Sequence, residues 1–234
     1  VNTTRTHDAT AWPPAAPTTP LAILVSGGLD SAVMVAEAAR SYPAVYPVYV
    51  RTGLAWESVE RLHLDRFLSA IHAPTLRSLI LLEQPVLDLY GDHWSVTGKG
   101  VPAAGTPDED VFLPGRNVLL LTKPILWCHM HGVPEIALAP LAVNPFPDAT
   151  PEFFAGLAGI VNTSVGGSVR VIRPYSELHK TDVIRRGRGF PLEHTLSCIH
   201  PVGDRHCGVC SKCYERRVAF RESGVPDPTS YAAG

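Results

Sequence analysis

The apolar run at residues 21–25 (Leu-Ala-Ile-Leu-Val) stops at Ser26-Gly27-Gly28, and apolar residues then recur at helical spacing over residues 29–40. A buried strand passing through a glycine turn straight into a helix constrains a chain strongly, because the next strand must then lie parallel to the first after a right-handed crossover. The pattern repeats down the chain. Residues 44–50 read as a second strand, and residues 56–71 set Leu62, Leu64, Phe67 and Leu68 among Glu, Arg and Asp, as an amphipathic helix does. Residues 76–82 make a third strand. Further on come a helix at 117–131, a strand at 134–139, a helix at 150–164 opened by Thr150-Pro151-Glu152, and a last strand at 169–172. The expected class is α/β: a mostly parallel five-stranded sheet with helices on both faces and a ligand site at the carboxyl ends of the strands.

Composition narrows the function. With 45% hydrophobic and 18% charged residues over 234, disorder along the whole chain is excluded. The 20 Lys and Arg against 22 Asp and Glu argue against a protein that coats nucleic acid or a membrane surface, and favour a small, locally charged ligand. No stretch approaches the roughly 20 apolar residues of a membrane span. Residues 1–20, with Arg5, His7, Asp8 and several prolines, lack the apolar core of a secretory signal and read as a flexible leader. Residues 83–113, rich in Gly, Pro, Asp and Thr, exceed an ordinary connection and are expected to form a functional loop or lid.

The turn Ser26-Gly27-Gly28-Leu29-Asp30-Ser31 directs backbone N–H groups and the positive end of a helix at one point, which suits a phosphate. It lacks the lysine of a P-loop and the spacing of the dinucleotide fingerprint. The alternative is a tight strand-to-helix connection with no ligand.

Four of the five cysteines cluster as Cys198-x8-Cys207-x2-Cys210-x2-Cys213. Four thiolates close a tetrahedral zinc site of structural type, with Arg205, Lys212, Arg216 and Arg217 near enough in sequence to offset the surplus charge. An iron–sulfur cluster is the weaker choice because no Cys-Pro follows Cys213, and disulfides are disfavoured by the absence of any export signal. His194, His200 and His206 lie close by as substitute ligands or surface residues. Cys128, beside Leu126 and Trp127, reads as a packed core thiol. The chain therefore divides into a leader (1–20), a nucleotide-binding α/β domain (21–173), a helical and zinc-binding extension (174–221) and a flexible tail (222–234).

The hexapeptide at 26–31 resembles the Ser-Gly-Gly-x-Asp-Ser signature of PP-loop ATP pyrophosphatases. Together with the four cysteines, the chain resembles the 7-cyano-7-deazaguanine synthases of the QueC/ExsB family. Three more segments carry the likeness: Phe112-Leu-Pro-Gly-Arg116-Asn117, then Phe146-Pro-Asp148 followed by Pro151-Glu-Phe153, and Leu178-His-Lys180-Thr. The chain departs from that pattern at Ala149, where the family usually has cysteine, and over residues 52–57, where it has Gly-Gln-Arg/His.

The resemblance implies ATP with Mg2+ as substrate, structural Zn2+, and a cytoplasmic ligase without stable nucleic-acid or membrane partners; a homodimer is left open. Ammonia and a 7-deazapurine carboxylate would react by way of an acyl-adenylate and an amide to a nitrile. It assigns ATP to Ser26, Gly27, Gly28, Leu29, Asp30 and Ser31, with Asp30 organising the metal and phosphates. Arg116 and Lys180 become candidates for stabilising phosphate or carboxylate charge, the alternative being surface cations. Asn117 would bind base or ribose, or cap its helix, and Asp148 would read the deazapurine's amino edge, or form a turn. Competing readings are a paralogue adenylating another acid, an ATP-binding sensor, and a tRNA-thiolating PP-loop enzyme.

Overall fold

The computed structural model describes residues 12–233. Five strands, β1 (Leu21–Leu24), β2 (Val45–Arg51), β3 (Ile80–Glu83), β4 (Glu135–Ala137) and β5 (Arg170–Ile172), form one sheet in the order β3-β2-β1-β4-β5. Every pairing is parallel, with Ile23 opposite Pro47 on one side and Ala137 on the other. A parallel sheet must be covered on both faces, and this one is. Helices α1 (Leu29–Ala38) and α2 (Glu57–Ala70) pack on one face with Val183, Ile184 and Phe220 from the C-terminal third. Helices α5 (Arg116–Met130) and α6 (Pro151–Val165) cover the other through Leu121, Ile125, Phe154 and Val161. Leu21, Ala22 and Ile23 are wholly buried, which is why the central strand reads as an unbroken apolar run.

Chain order reverses between β1 and β4, and in open α/β sheets a crevice opens beyond the carboxyl ends of strands at such a point. The Ser-Gly-Gly turn follows β1 there. The extension lies against it: α7 (Lys180–Arg186), a 3-10 turn at Leu192–His194, the cysteine loop, and α8 (Ser211–Ser223). Leu196 N–H donates to Gly27 C=O at 2.8 Å, tying the approach to the cysteines directly to the turn.

Three segments differ from expectation. The third strand starts at Ile80, since Leu76 makes only an isolated bridge to Val45 before the chain leaves the sheet. Residues 83–113 are not one open loop. They contain the single-turn helices α3 (Leu87–Tyr90) and α4 (Trp94–Thr97) and a 3-10 turn at Asp108–Val111. Trp94 stacks on Trp56 with ring centroids 5.8 Å apart, and Ala103 bridges to Cys210. Elements of one turn are too short to show a hydrophobic period.

The tail expected to fray is instead held by hydrogen bonds. Ala232 N–H donates to His206 C=O at 2.7 Å, and the Tyr231 hydroxyl donates to Asp227 Oδ2 at 2.7 Å. The Arg217 guanidinium lies 4.0 Å from the Tyr231 ring centroid. At the other end, Trp12 packs on Tyr42, and Arg186 donates to the Trp12 carbonyl at 3.2 Å. The rest of the expected leader, residues 1–11, lies outside the described residues. Among the described residues no helix is long and apolar enough to cross a membrane.

Candidate active site

A cavity of about 260 Å3 opens at the switch point, lined by Ser26, Gly28, Asp30, Ser31, Arg116, Asn117 and Asp148 among others. Seven of the expected site residues, from three separate stretches of sequence, therefore meet in one place. Leu29 does not line it: its side chain is 2% exposed and belongs to the core, so only its backbone could serve an anion. Gly27 packs away from the cavity. Its φ of +67° is left-handed, and a Cβ there would stand 2.7 Å from the Glu60 carbonyl oxygen.

The turn is braced from within. Ser26 N–H donates to Ser31 Oγ at 3.2 Å, and Ser31 Oγ donates to Gly28 C=O at 3.2 Å. No side chain caps the N-terminus of α1, which begins at Leu29 behind an extended Gly28. Uncapped first-turn amides with a positive dipole end form a receptor for an anion.

Asp30, in the first turn of α1, pairs through Oδ2 with Lys180 Nζ at the start of α7. Its other oxygen, Oδ1, is buried and has no hydrogen-bond partner. A buried carboxylate oxygen left open beside an anion receptor is what a divalent cation bound with phosphates would engage, so the residues present fit Mg2+. Lys180 itself does not line the cavity; it reaches the site through Asp30.

Asn117 and Asp148 are brought together by each other. Asn117 N–H donates to Asp148 Oδ2 at 3.0 Å, and Asn117 Nδ2 donates to the Asp148 carbonyl at 2.8 Å. Asp148, only 8% exposed, thus satisfies an orphan amide in the first turn of α5 while one side faces the cavity. Phe146 and Phe112 stack over the rim with centroids 5.0 Å apart.

Two residues of this cavity gave no signal in the sequence. Tyr49, on β2, donates its hydroxyl to Glu60 Oε2 at 2.7 Å, and both line the wall. Glu60 is half-buried. Burial pushes its carboxyl up to about 7, against the opposing pull of the Tyr49 hydrogen bond and the Arg116 charge. Its neighbour Glu57 accepts from Thr52 N–H at 2.6 Å and Gly53 N–H at 2.7 Å, fixing the turn that leads into α2.

The four cysteines converge near the turn. Cys198, Cys207, Cys210 and Cys213 are all buried, with their sulfurs within 4.8 Å of one another. The Cys198–Cys210 and Cys207–Cys213 sulfurs are 3.9 Å apart, close to the ~3.8 Å edge of a tetrahedron with zinc–sulfur bonds of about 2.3 Å. Backbone N–H groups of His200 and Cys207 point at Cys198 Sγ, and those of Val209 and Cys210 at Cys207 Sγ, at 3.3–3.4 Å. Such donors offset thiolate charge, and the set fits a closed metal site. His206 is not a member: its Nε2 accepts from Ser197 N–H at 3.1 Å. Cys128 is fully buried, and burial pushes its thiol up to about 12.

Fold and turn together define an α/β protein with a parallel sheet, a glycine turn at its switch point and, in its extension, a four-cysteine cluster that could hold a metal ion. The chain belongs to the QueC family: the model of that family, described as queuosine biosynthesis protein QueC, matches residues 21–224. A 7-cyano-7-deazaguanine synthase of Xanthomonas oryzae is 30% identical over 223 residues, spanning 90% of this chain and 96% of the relative. One from Cupriavidus necator matches to the same extent, at 30% identity over 90% of this chain and 96% of the relative. A 4-thiouridine synthetase solved with RNA and ATP aligns with a TM-score of 0.49 and 14% identity over 88% of this chain and 50% of that one, a likeness too distant to bear on function.

Proposed function

We propose that the chain is an ATP-dependent carbon–nitrogen ligase that converts 7-carboxy-7-deazaguanine and ammonia into 7-cyano-7-deazaguanine, in the synthesis of queuosine or a related 7-deazapurine. The observation that carries this reading is the open Asp30 Oδ1 beside the uncapped turn of α1, in a chain of this family. A carboxylate is a poor electrophile. Transfer of AMP from ATP makes its oxygen a leaving group and releases pyrophosphate; ammonia then displaces AMP, and a second adenylation on the amide oxygen permits dehydration to the nitrile.

In this reading the turn amides of residues 29–31 hold the departing pyrophosphate, and Ser26 and Ser31 add hydroxyl donors. Bound Mg2+ would neutralise phosphate charge. Asp30 would hold it, with Lys180 fixing the Asp30 rotamer. Arg116 faces the cavity with a cation suited to phosphate or carboxylate. Catalysis then consists of positioning and charge neutralisation, with no protein nucleophile. Zinc in the four cysteines would hold the extension against the turn, a structural role, since four ligands leave no open position.

A second reading is a paralogue that adenylates another acid. Thr52 and Leu54, from the segment that departs from the family pattern, lie in the cavity wall, whereas Ala149 packs against the core beneath it. Pyrophosphate–ATP exchange measured against a panel of carboxylic acids separates the two. Exchange dependent on 7-carboxy-7-deazaguanine supports the first reading; exchange with another acid alone supports the second, and none with any acid contradicts both.

A further inference from the structure

Adenylation needs no base, but the step after it does. When ammonia adds to an acyl-adenylate, its lone pair forms the C–N bond and the carbonyl pair moves to oxygen. The new nitrogen then carries a positive charge and must lose a proton before AMP departs with the C–O pair. Among the cavity-lining side chains, Asp30 accepts from Lys180 on one oxygen and its open oxygen is the one assigned above to the divalent cation, and Asp148 is held by the first turn of α5. Glu60 accepts from the Tyr49 hydroxyl on Oε2 and has the Trp56 side chain as a second hydrogen-bond partner, and its side chain packs against the phosphate turn: a Cβ on Gly27 would lie 3.3 Å from Glu60 Cγ. It lines the same cavity as Ser26, Gly28 and Ser31 of that turn.

We infer that Glu60 is the proton acceptor of the amide-forming step, taking the proton from the added nitrogen and releasing it to solvent after AMP leaves. This rests on the adenylating function proposed above. The titratable and charged groups facing Glu60 are Tyr49 from β2, Glu57 from its own helix and Arg116 from α5. Burial raises its carboxyl to about 7, which matches a group that must both gain and lose a proton near neutrality. The Tyr49 hydrogen bond and Arg116 charge favour the carboxylate, so removing either raises that value further.

The test uses the whole zinc-loaded enzyme and separates two partial reactions. Pyrophosphate–ATP exchange with 7-carboxy-7-deazaguanine reads adenylation; rapid-quench mass spectrometry at fixed free ammonia reads amide formation. In Glu60→Gln, which keeps size and can still accept from Tyr49, amide formation falls at least ~100-fold while exchange falls less than ~10-fold. In Tyr49→Phe the acid limb of amide formation moves to higher pH. An equal fall in both reactions, or wild-type amide formation in Glu60→Gln, overturns the inference. A parent enzyme with no exchange at all would instead refute the function on which it rests.

Discussion

Lys180 Nζ donates to Asp30 Oδ2 across 150 residues of sequence, joining the first residue of α7 to the first turn of α1. The pair is partly exposed, with side-chain accessibilities of 35% and 24%, so its contribution to stability is small, about 0–1 kcal/mol. Its consequence is geometric: it fixes one Asp30 oxygen and leaves the other open. Asp30→Ala is expected to abolish acid-dependent pyrophosphate release with the circular dichroism spectrum unchanged. Lys180→Met is expected to lower release about tenfold or more, roughly 1.4 kcal/mol in the barrier, and to move the thermal midpoint by no more than about 2 °C.

The Gly27 turn tolerates no side chain. Gly27→Ala combines a left-handed φ of +67° with a Cβ only 2.7 Å from the Glu60 carbonyl oxygen. A loss of about 2 kcal/mol in urea unfolding is expected, together with loss of ATP turnover. A variant as stable as the parent would mean that the turn is looser than described.

Helix α5 depends on a cap supplied from outside its own sequence. Asp148→Ala removes the acceptor for Asn117 N–H and is expected to cost about 1–2 kcal/mol. If Asp148 also reads the deazapurine, KM for the acid rises in Asp148→Asn, which keeps an acceptor for that amide. An unchanged KM confines Asp148 to capping.

Elemental analysis is expected to find about one zinc per chain, and Cys207→Ser or Cys210→Ser to remove most soluble protein, because metal binding and folding are coupled in such sites. An iron-dominated sample would overturn the assignment of the four cysteines.

Glu60 predicts a pH signature in stability. Its carboxyl sits at about 7 when folded against an ordinary 4.5, so between those values the folded chain holds a proton that the unfolded chain has released. Stability contributed by that group is complete below about 4.5 and is lost as pH rises through 7. Glu60→Gln should therefore be more stable to urea than the parent at pH 8, by about 3 kcal/mol, with the difference shrinking toward pH 4.5. No pH dependence in that difference would remove the perturbed carboxyl.

What the sequence disclosed followed the length and purity of each signal. The buried run before Ser26 and the helical spacing after it are continuous, and the close spacing of the four cysteines matches the convergence of their sulfurs to within 4.8 Å. Glu60 was hidden because on an amphipathic helix a glutamate reads as solvent-facing; only the β2 crossover puts Tyr49 against it. The Asn117–Asp148 pair joins two turns that are unremarkable singly. The tail after Ser223 is poor in apolar residues, so its docking on the cysteine loop through Tyr231 and backbone hydrogen bonds left no periodic trace.

Mass spectrometry of a reaction holding the zinc-loaded enzyme, ATP, Mg2+, ammonia and 7-carboxy-7-deazaguanine tests the central claim most directly. The expected result is transient amide followed by 7-cyano-7-deazaguanine, with AMP and pyrophosphate released in both the amide-forming and the nitrile-forming stage. Neither amide nor nitrile, from enzyme that carries its zinc and binds ATP, would contradict it.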